Sequence, residues 1–452
     1  MSGRRISHPA GSSNKLRGDV LRVLGVVKIA TADQIQRLTA PHLTYRHTGK
    51  PTAAERKEAR TRAHRAAARD LQRQRLVAAA GRSRGGEVLW ALTAAGLQAA
   101  AQELHRPASV MGAPAARAGA SGAPHALAVN ETILALTRPA PDLELLTGEP
   151  PAAVAAARAA RPGIGALEQW ATEVPLPLTG AAWSKAGPGG IQADAVLAAP
   201  EHGVPVLFVE VDTCHMDAQR LADKIGKYTA FLRRRTEARR GRPARPLWRT
   251  RWPAPPDPYG TELLPPLLLV FHPHGPRNPD TTAALVAERT RIHWQGRPAG
   301  SYTDYDGKLP VIATTIGQLR DAGPGGAVFH RFGRDRLQCL ADALGNPRQA
   351  AAEARREARS EAQRQEEARL RAQREAAERE ARRPVCTDCG QKLTDARQAW
   401  AASRDGRRDP HRELCENCAQ TARARAAADR QQQQEEEAAA AAVRRRLFRR
   451  RA

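Results

Sequence analysis

Two pairs of cysteines near the C-terminus restrict the fold of this chain more than any other feature of the sequence. Cys386 and Cys389 form one C-x2-C pair, and Cys415 and Cys418 form a second pair after 25 intervening residues. Such spacing is typical of four thiolates that hold one zinc ion in a tetrahedron. Because four protein ligands leave no open coordination position, we expect a structural zinc ion that folds residues 384–420. The alternative is four free cysteines.

The charge of the chain predicts a polyanionic partner. Its 452 residues include 72 Lys and Arg against 47 Asp and Glu, a formal net charge of +25. Nucleic acid is a better candidate than a membrane, because no apolar run approaches the ~18 residues of a spanning helix. The first residues, MSGRRISHPAGSS, also lack the apolar stretch of a signal peptide. We therefore expect a cytoplasmic protein that binds double-stranded DNA and no membrane, in a compartment where paired cysteines suit metal.

The N-terminal part of the chain, residues 16–108, has the element order of a winged-helix DNA-binding domain. Apolar residues recur at helical spacing over residues 16–28, and Thr31 is placed to cap a second, short helix. A third helix is predicted over residues 52–74, and two short strands joined by the turn SRGG follow it. The composition of residues 109–124 is that of a linker.

The third predicted helix carries a stripe of arginines. Its members are three or four residues apart and therefore share one face of the helix: Arg62, Arg65, Arg69 and Arg73. Small and apolar residues are predicted to form the opposite face: Ala59, Ala63, Ala67 and Leu71. A basic face on a helix that packs through its other side suits a recognition helix in the major groove of DNA. The alternative is a charged face that only contacts solvent.

A second folded segment, residues 125–345, combines buried carboxylates with a lysine. Its predicted element order is helix, strand, strand, strand, helix, strand. Asp194 lies in the second of these strands, and Glu210 and Asp212 share one face at the end of the third. Lys224 follows in the next helix. Oxygen ligands for Mg²⁺ and a compact ammonium are what metal-assisted phosphodiester cleavage requires, so we predict a catalytic site from these four residues.

This arrangement resembles the restriction-endonuclease-like, or PD-(D/E)xK, nuclease superfamily. More narrowly, residues 16–340 resemble the replication-relaxation family found in plasmids and integrative elements of Gram-positive, actinobacterial hosts. The narrower resemblance is carried by HALAVNE, by Trp170 with Glu173, and by the blocks ADAVLA, FVEVD and LADKIGKY. It implies a DNA-processing role in the replication and relaxation of such elements, with replication or conjugation proteins as further partners.

Two positions depart from these patterns. The nuclease pattern has a lysine two residues after the glutamate, where this chain has Asp212, so Lys224 would have to supply the ammonium. Relatives tend to have Arg-Gly-Thr after the acidic pair, where this chain has Thr-Cys-His. Two functions therefore stay open. One is a Mg²⁺-dependent DNA-nicking nuclease; the other is a non-catalytic DNA-binding adaptor with a degenerate nuclease fold that recruits replication or transfer machinery.

The remaining segments complete the expected α/β multidomain architecture. A winged helix and a central αβββαβ restriction-endonuclease-like domain precede a long charged helix over residues 347–383 and a zinc ribbon-like module. A basic low-complexity tail, residues 421–452, ends the chain and is expected to be disordered or loosely helical. Within the central domain we expect His125 and Asn130 to be structural, and Glu131 to be an accessory carboxylate.

Overall fold

The computed structural model describes most of the chain and divides it into two compact units, Met1–Ala352 and Glu353–Ala452. The described residues are 11–112, 123–179, 183, 186–237, 243–252, 254, 264–299, 302–345 and 347–449. The predicted linker at 109–124 therefore lies largely outside them. The N-terminal and central predicted domains both lie in the first unit. Among the helices that the structure describes, none combines the length and the apolar character needed to cross a bilayer.

The first unit begins with a helical domain that contains a small antiparallel sheet. Its elements are α1 (Asn14–Val27), β1 (Ile29–Thr31), α2 (Ala32–Thr39), α3 (Ala53–Arg73), β2 (Val77–Arg82), β3 (Val88–Leu92) and α4 (Ala94–Glu103). The strands pair antiparallel in the order β1-β3-β2. Thr31 and Thr52 begin α2 and α3 with capping boxes, in which each threonine accepts a backbone N–H and a Gln or Glu side chain caps in return. Leu24, Ile35 and Leu71 are fully buried in its core.

The central part of the first unit is built on a six-stranded sheet. Its helices are α5 (Ala123–Thr137), α6 (Pro151–Arg158), α7 (Ala218–Leu232), α8 (Pro279–Arg289), α9 (Arg291–Trp294), α10 (Ile316–Ala322) and α11 (Leu340–Leu344). Its strands are β4 (Gln169–Leu176), β5 (Ile191–Ala199), β6 (Val204–Asp212), β7 (Leu267–Phe271), β8 (Arg297–Ala299), β9 (Tyr302–Asp304), β10 (Val311–Thr315) and β11 (His330–Arg331). The sheet order is β11-β10-β7-β6-β5-β4, and β8 pairs separately with β9.

The sheet is mixed, and both of its faces are covered. Strands β4, β5 and β6 form an antiparallel meander, whereas β6, β7 and β10 run parallel. On one face Phe208 packs with Tyr228 and Phe231 of α7, and on the other Leu207 packs with Ile133 of α5. Because the central strands are buried on both sides, β6 and β7 read as nearly continuous apolar runs. A carboxylate at the end of β6 is therefore placed in the interior.

Polar contacts fasten the N-terminal domain to the central sheet. Asn130 of α5 donates from Nδ2 to the carbonyl of Ile29, over 2.7 Å. Thr172 of β4 donates from Oγ1 to the carbonyl of Val26, over 2.6 Å. Glu131 forms ion pairs with Arg37 of α2 and Arg320 of α10. The carboxylate of Glu131, expected to be an accessory group at the acidic residues, is thus engaged at this junction instead.

The second unit holds two long helices and the cysteine-rich segment. Its helices are α12 (Pro347–Ala381, which begins within the first unit), α13 (Asp395–Ala402) and α14 (Glu416–Arg449). The described side chains of α12 are exposed, and ion pairs such as Arg369–Glu366 and Arg382–Glu378 lie along its surface. The segment expected to be disordered or loosely helical is α-helical through Arg449, because its Ala, Gln, Glu and Arg residues are strong helix formers.

Candidate functional site

The strand register brings two of the predicted catalytic carboxylates together. Strands β5 and β6 pair Ala195 with Val209 and Val196 with Phe208, and the same register continues to Asp194 beside Glu210. Directly opposed residues of an antiparallel pair share one face of the sheet. We call Asp194, Glu210 and Asp212, together with Lys224 and His125 around them, the acidic cluster.

Glu210 is the most buried member of the acidic cluster, with a relative exposure of 1%. Its Oε1 accepts from Nζ of Lys224, and its Oε2 accepts from the hydroxyl of Tyr228 over 3.0 Å. Burial raises the pKa of Glu210 well above its usual range, the negative charge of Asp194 adds to the effect, and Lys224 and Tyr228 oppose it. Both carboxylate oxygens of Glu210 are therefore satisfied by protein donors.

Lys224 is the shared counter-ion of the acidic cluster. Helix α7 begins at its N-cap Asp217 and buries Leu221, Ile225 and Tyr228, which turns Lys224 toward β6 one helical turn before Tyr228. Burial lowers the pKa of Lys224, but the charges of Glu210, Asp194 and Asp212 outweigh it, so the pKa is raised overall. The ammonium is therefore charged and held among three carboxylates.

His125, expected to be structural, belongs to the acidic cluster through its contact with Asp194. Its Nε2 lies 3.0 Å from Oδ1 of Asp194, while the backbone N–H of Val211 donates to Oδ2 over 2.7 Å. The hydrogen bond that His125 donates to Asp194 raises the pKa of His125 despite partial burial. Burial raises the pKa of Asp194, but the contacts with His125 outweigh it and the pKa is lowered overall. Asp194 is therefore ionised, and it lies beside a histidine whose raised pKa favours the protonated form.

Asp212 is buried, with a relative exposure of 3%, and its Oδ2 has no hydrogen-bond partner among the described residues. Burial raises its pKa, and the backbone amides of Met216 and Cys214 partly oppose the effect. Cys214 adopts a left-handed backbone conformation, with φ of 63°. The turn after β6 is thus strained where it supports the acidic residues.

Glu173 is a charged neighbour of the acidic cluster that we did not predict as a site residue. The register of β4 with β5 pairs Thr172 with Ala195 and Val174 with Ala193, which puts Glu173 opposite Asp194. Its side chain is exposed, and its backbone is left-handed, with φ of 51°. Its carboxylate lies close enough to interact electrostatically with His125. Its sequence signal was its place beside Trp170 in the family resemblance, which did not indicate that it neighbours the acidic cluster.

The acidic cluster, as arranged, does not fit a bound Mg²⁺ ion. Mg²⁺ takes oxygen ligands in near-octahedral geometry. Among the described residues, Asp194, Glu210 and Asp212 do not form a group whose ligand atoms all lie within 4.8 Å of one another. Both oxygens of Asp194 and both of Glu210 are also engaged by protein donors. The predicted magnesium site therefore gains no support from the geometry.

The four predicted cysteine ligands do come together. The Sγ atoms of Cys386, Cys389, Cys415 and Cys418 all lie within 4.8 Å of one another. Cys389 and Cys415 have Sγ atoms 3.7 Å apart. Zinc–sulfur bonds of ~2.3 Å in a tetrahedron place sulfur atoms about 3.8 Å apart, so this donor set fits zinc. Gly390, with φ of 73°, follows the first pair in a left-handed conformation that favours glycine. The cluster can therefore hold a metal such as zinc.

The arginine stripe on α3 contains two exposed side chains and two that form ion pairs within the helix. Arg62 and Arg69 are exposed. Arg65 forms an ion pair with Glu58 of the same helix, and Arg73 forms one with Asp70. Two of the four predicted arginines thus present their charge to solvent, and two are partly neutralised.

The buried face of α3 differs from the one predicted. Ala63 is exposed and Ala59 is only partly buried, whereas Thr61 and His64 are buried beside Ala67, Ala68 and Leu71. His64 is accommodated because its Nε2 lies 3.1 Å from the hydroxyl of Thr39 on α2. Alanine is small enough for either environment, so an alanine stripe did not identify the packed face.

Comparison with known proteins finds similarity to one family. No curated protein and no solved structure matches the chain significantly. The model of the family described as replication-relaxation matches residues 21–243, a segment that includes α3 and every residue of the acidic cluster. Over this segment, nearly half of its length, the chain is similar to the replication-relaxation family.

Proposed function

We propose that this protein binds duplex DNA in the cytoplasm, during the replication or relaxation of a plasmid or integrative element, through a winged-helix domain at its N-terminus. The order α1-β1-α2-α3-β2-β3, with a three-stranded antiparallel sheet, is the order that winged helices have. The family match and the net charge of +25 favour a DNA partner.

The observation that carries the proposal is the exposed face of α3. Arg62 and Arg69 project from a helix whose other side is fixed by buried His64, Ala67 and Leu71. Two arginines held at a spacing of about two helical turns on a rigid helix can contact phosphates or base edges without a large ordering cost. Arg65, which lies between them in sequence, forms an ion pair with Glu58, so Arg62 and Arg69 are the residues available for DNA.

The test compares two double variants of equal charge. Arg62→Ala/Arg69→Ala removes the exposed pair on α3, and Arg220→Ala/Arg289→Ala removes two exposed arginines from α7 and α8. The affinity for a duplex oligonucleotide should fall by about tenfold or more in the first variant and change little in the second. Equal losses in both variants would show that net charge, and not α3, determines binding.

A phosphodiester-cleaving enzyme is the second candidate. Apart from the short helix α6, which lies between α5 and β4, the order α5-β4-β5-β6-α7-β7 is that of the PD-(D/E)xK core, and Lys224 stands among three carboxylates. The engaged oxygens of Asp194 and Glu210 favour instead a non-catalytic adaptor that recruits replication or transfer proteins. Incubation of supercoiled plasmid with Mg²⁺ separates the two: nicking by wild type that is lost in Asp194→Ala would establish the nuclease, and intact plasmid would leave the adaptor.

A further inference from the structure

A polar cleft with a volume of ≈ 980 Å³ lies where the N-terminal domain meets the edge strand β4. Lys28, which follows α1, and Arg106, which follows α4, line one side. Glu173 and Gln192 of β4 and β5 line another. Volumes of roughly 300–1,000 Å³ are those of ligand sites, which often form at domain junctions. The cleft is therefore large enough for a ligand and is placed where ligands usually bind.

Part of the lining of the cleft combines aromatic rings with one arginine. Three of the chain's seven tryptophans line the cleft: Trp170, Trp183 and Trp252. The guanidinium of Arg251 lies 5.2 Å from the ring centre of Trp183 and 5.1 Å from that of Trp252. Its Nη1 atom is buried and has no hydrogen-bond acceptor among the described residues. A buried N–H group without an acceptor is costly, so this wall favours a ligand that supplies one.

The chemistry of the cleft fits a nucleotide better than a purely apolar ligand. A nucleotide offers a planar base, which stacks on aromatic rings, and a phosphate, which accepts from guanidinium and ammonium groups. In duplex DNA the bases are already stacked inside the helix, so stacking on protein tryptophans requires a single strand. We propose that this cleft binds single-stranded DNA, with a base against the partly exposed ring of Trp183 and a phosphate beside Arg251.

The position of the cleft relates it to the acidic cluster. Gln192 precedes Asp194 by two residues on β5, and Glu173 stands opposite Asp194 on β4. Lys28 and Glu173 interact electrostatically across the cleft, and both have left-handed backbones, with φ of 66° and 51°. Such strain is maintained only where the surroundings enforce it, often at ligand sites. The cleft is therefore lined by strand neighbours of Asp194. The inference goes beyond duplex binding by α3 and does not depend on it.

Tryptophan fluorescence offers a direct readout. An oligothymidylate of about eight nucleotides should bind the full-length protein and quench its tryptophan emission. Arg251→Met should weaken this binding about tenfold, because it removes the guanidinium that is placed beside the phosphate. Trp183→Leu should remove a large part of the quenching. The matched control is Arg249→Met, because Arg249 also lies over a tryptophan, Trp248, at 4.5 Å but lines a different cleft.

Two further variants distinguish loss of the cleft site from misfolding and from binding at α3. Gln192 is exposed, so Gln192→Glu should leave the fold intact and still weaken oligothymidylate binding by adding a negative charge to the cleft. Arg62→Ala/Arg69→Ala should retain oligothymidylate binding while it loses duplex binding. Wild-type binding by both Arg251→Met and Gln192→Glu would overturn the proposal. So would loss of oligothymidylate binding in the α3 variant alone, which would place the single strand on α3.

Discussion

Lys224 of α7 and Glu210 of β6 form an ion pair inside the central domain, with the glutamate almost fully buried and about a quarter of the lysine side chain exposed. Tyr228, one turn further along α7, donates to the second oxygen of the same carboxylate. The pair ties the helix to the end of the strand that carries Glu210 and Asp212. The acidic cluster is thus arranged around a fixed cation.

Removal of that cation should destabilise the protein. Lys224→Met leaves Glu210 buried with only Tyr228 as partner, and breaking a buried pair from one side costs about 3 kcal/mol. The double variant Lys224→Met/Glu210→Gln should recover most of this loss, since position 210 then carries no buried charge. Urea unfolding measures the stability of both variants. Lys227→Met, at an exposed position on the same helix, is the control. A Lys224→Met protein as stable as wild type would mean that the pair contributes nothing to the fold.

The junction between the N-terminal and central domains should be sensitive to acid through Glu131. Burial raises its pKa, but Arg37, Gln34 and Arg320 outweigh this and lower the pKa from 4.5 to about 2. Because its pKa is lowered on folding, ionised Glu131 stabilises the folded state at pH values above its unfolded-state pKa. This stabilisation is lost as the pH falls from about 4.5 toward 2. Glu131→Gln should therefore lower the free energy of unfolding by about 3 kcal/mol at neutral pH, and by about half of that near pH 3.

Urea unfolding of wild type and Glu131→Gln at the two pH values checks this prediction. Glu144→Gln, at an exposed position of the same domain, is the control. A stability difference for Glu131→Gln that does not change with pH would show that the effect comes from packing and not from the charge of Glu131.

Local chemistry explains which parts of the fold were predictable from sequence. The boundary of α3 follows from Thr52 and Glu55, whose capping box is readable in the sequence. The strand that carries Glu210 follows from its apolar run, and the metal-binding potential of the cysteines follows from their spacing. Each of these signals lies within a few residues of the feature that it predicts.

Features that depend on distant pairing were not predictable in the same way. His125 and Asp194 are 69 residues apart in sequence, and only the packing of α5 against the sheet brings them within hydrogen-bond distance. The approach of Glu173 to Asp194 depends on the register of β4, which no local pattern specifies. The engagement of Glu131 by Arg320 depends likewise on the docking of α10.

The cysteine cluster should hold about one zinc ion per chain. Cys386→Ser should lose the metal and expose residues 384–420 to proteolysis, because so small a segment has little core of its own. Cys339→Ser, which changes a cysteine outside the cluster, should keep it. Metal analysis of protein refolded with zinc, together with limited proteolysis, measures both effects. Wild-type protein that binds no zinc under these conditions would contradict the prediction.

The salt dependence of duplex binding tests the central claim most directly. Each phosphate contact made by an arginine releases counter-ions and adds about one unit to the slope of log affinity against log salt concentration. If Arg62 and Arg69 contact the DNA backbone, Arg62→Ala/Arg69→Ala should reduce the slope of the wild type by about two units, and Arg220→Ala/Arg289→Ala should leave it unchanged. An unchanged slope and affinity in the α3 variant would contradict the assignment of α3 as the DNA-binding helix.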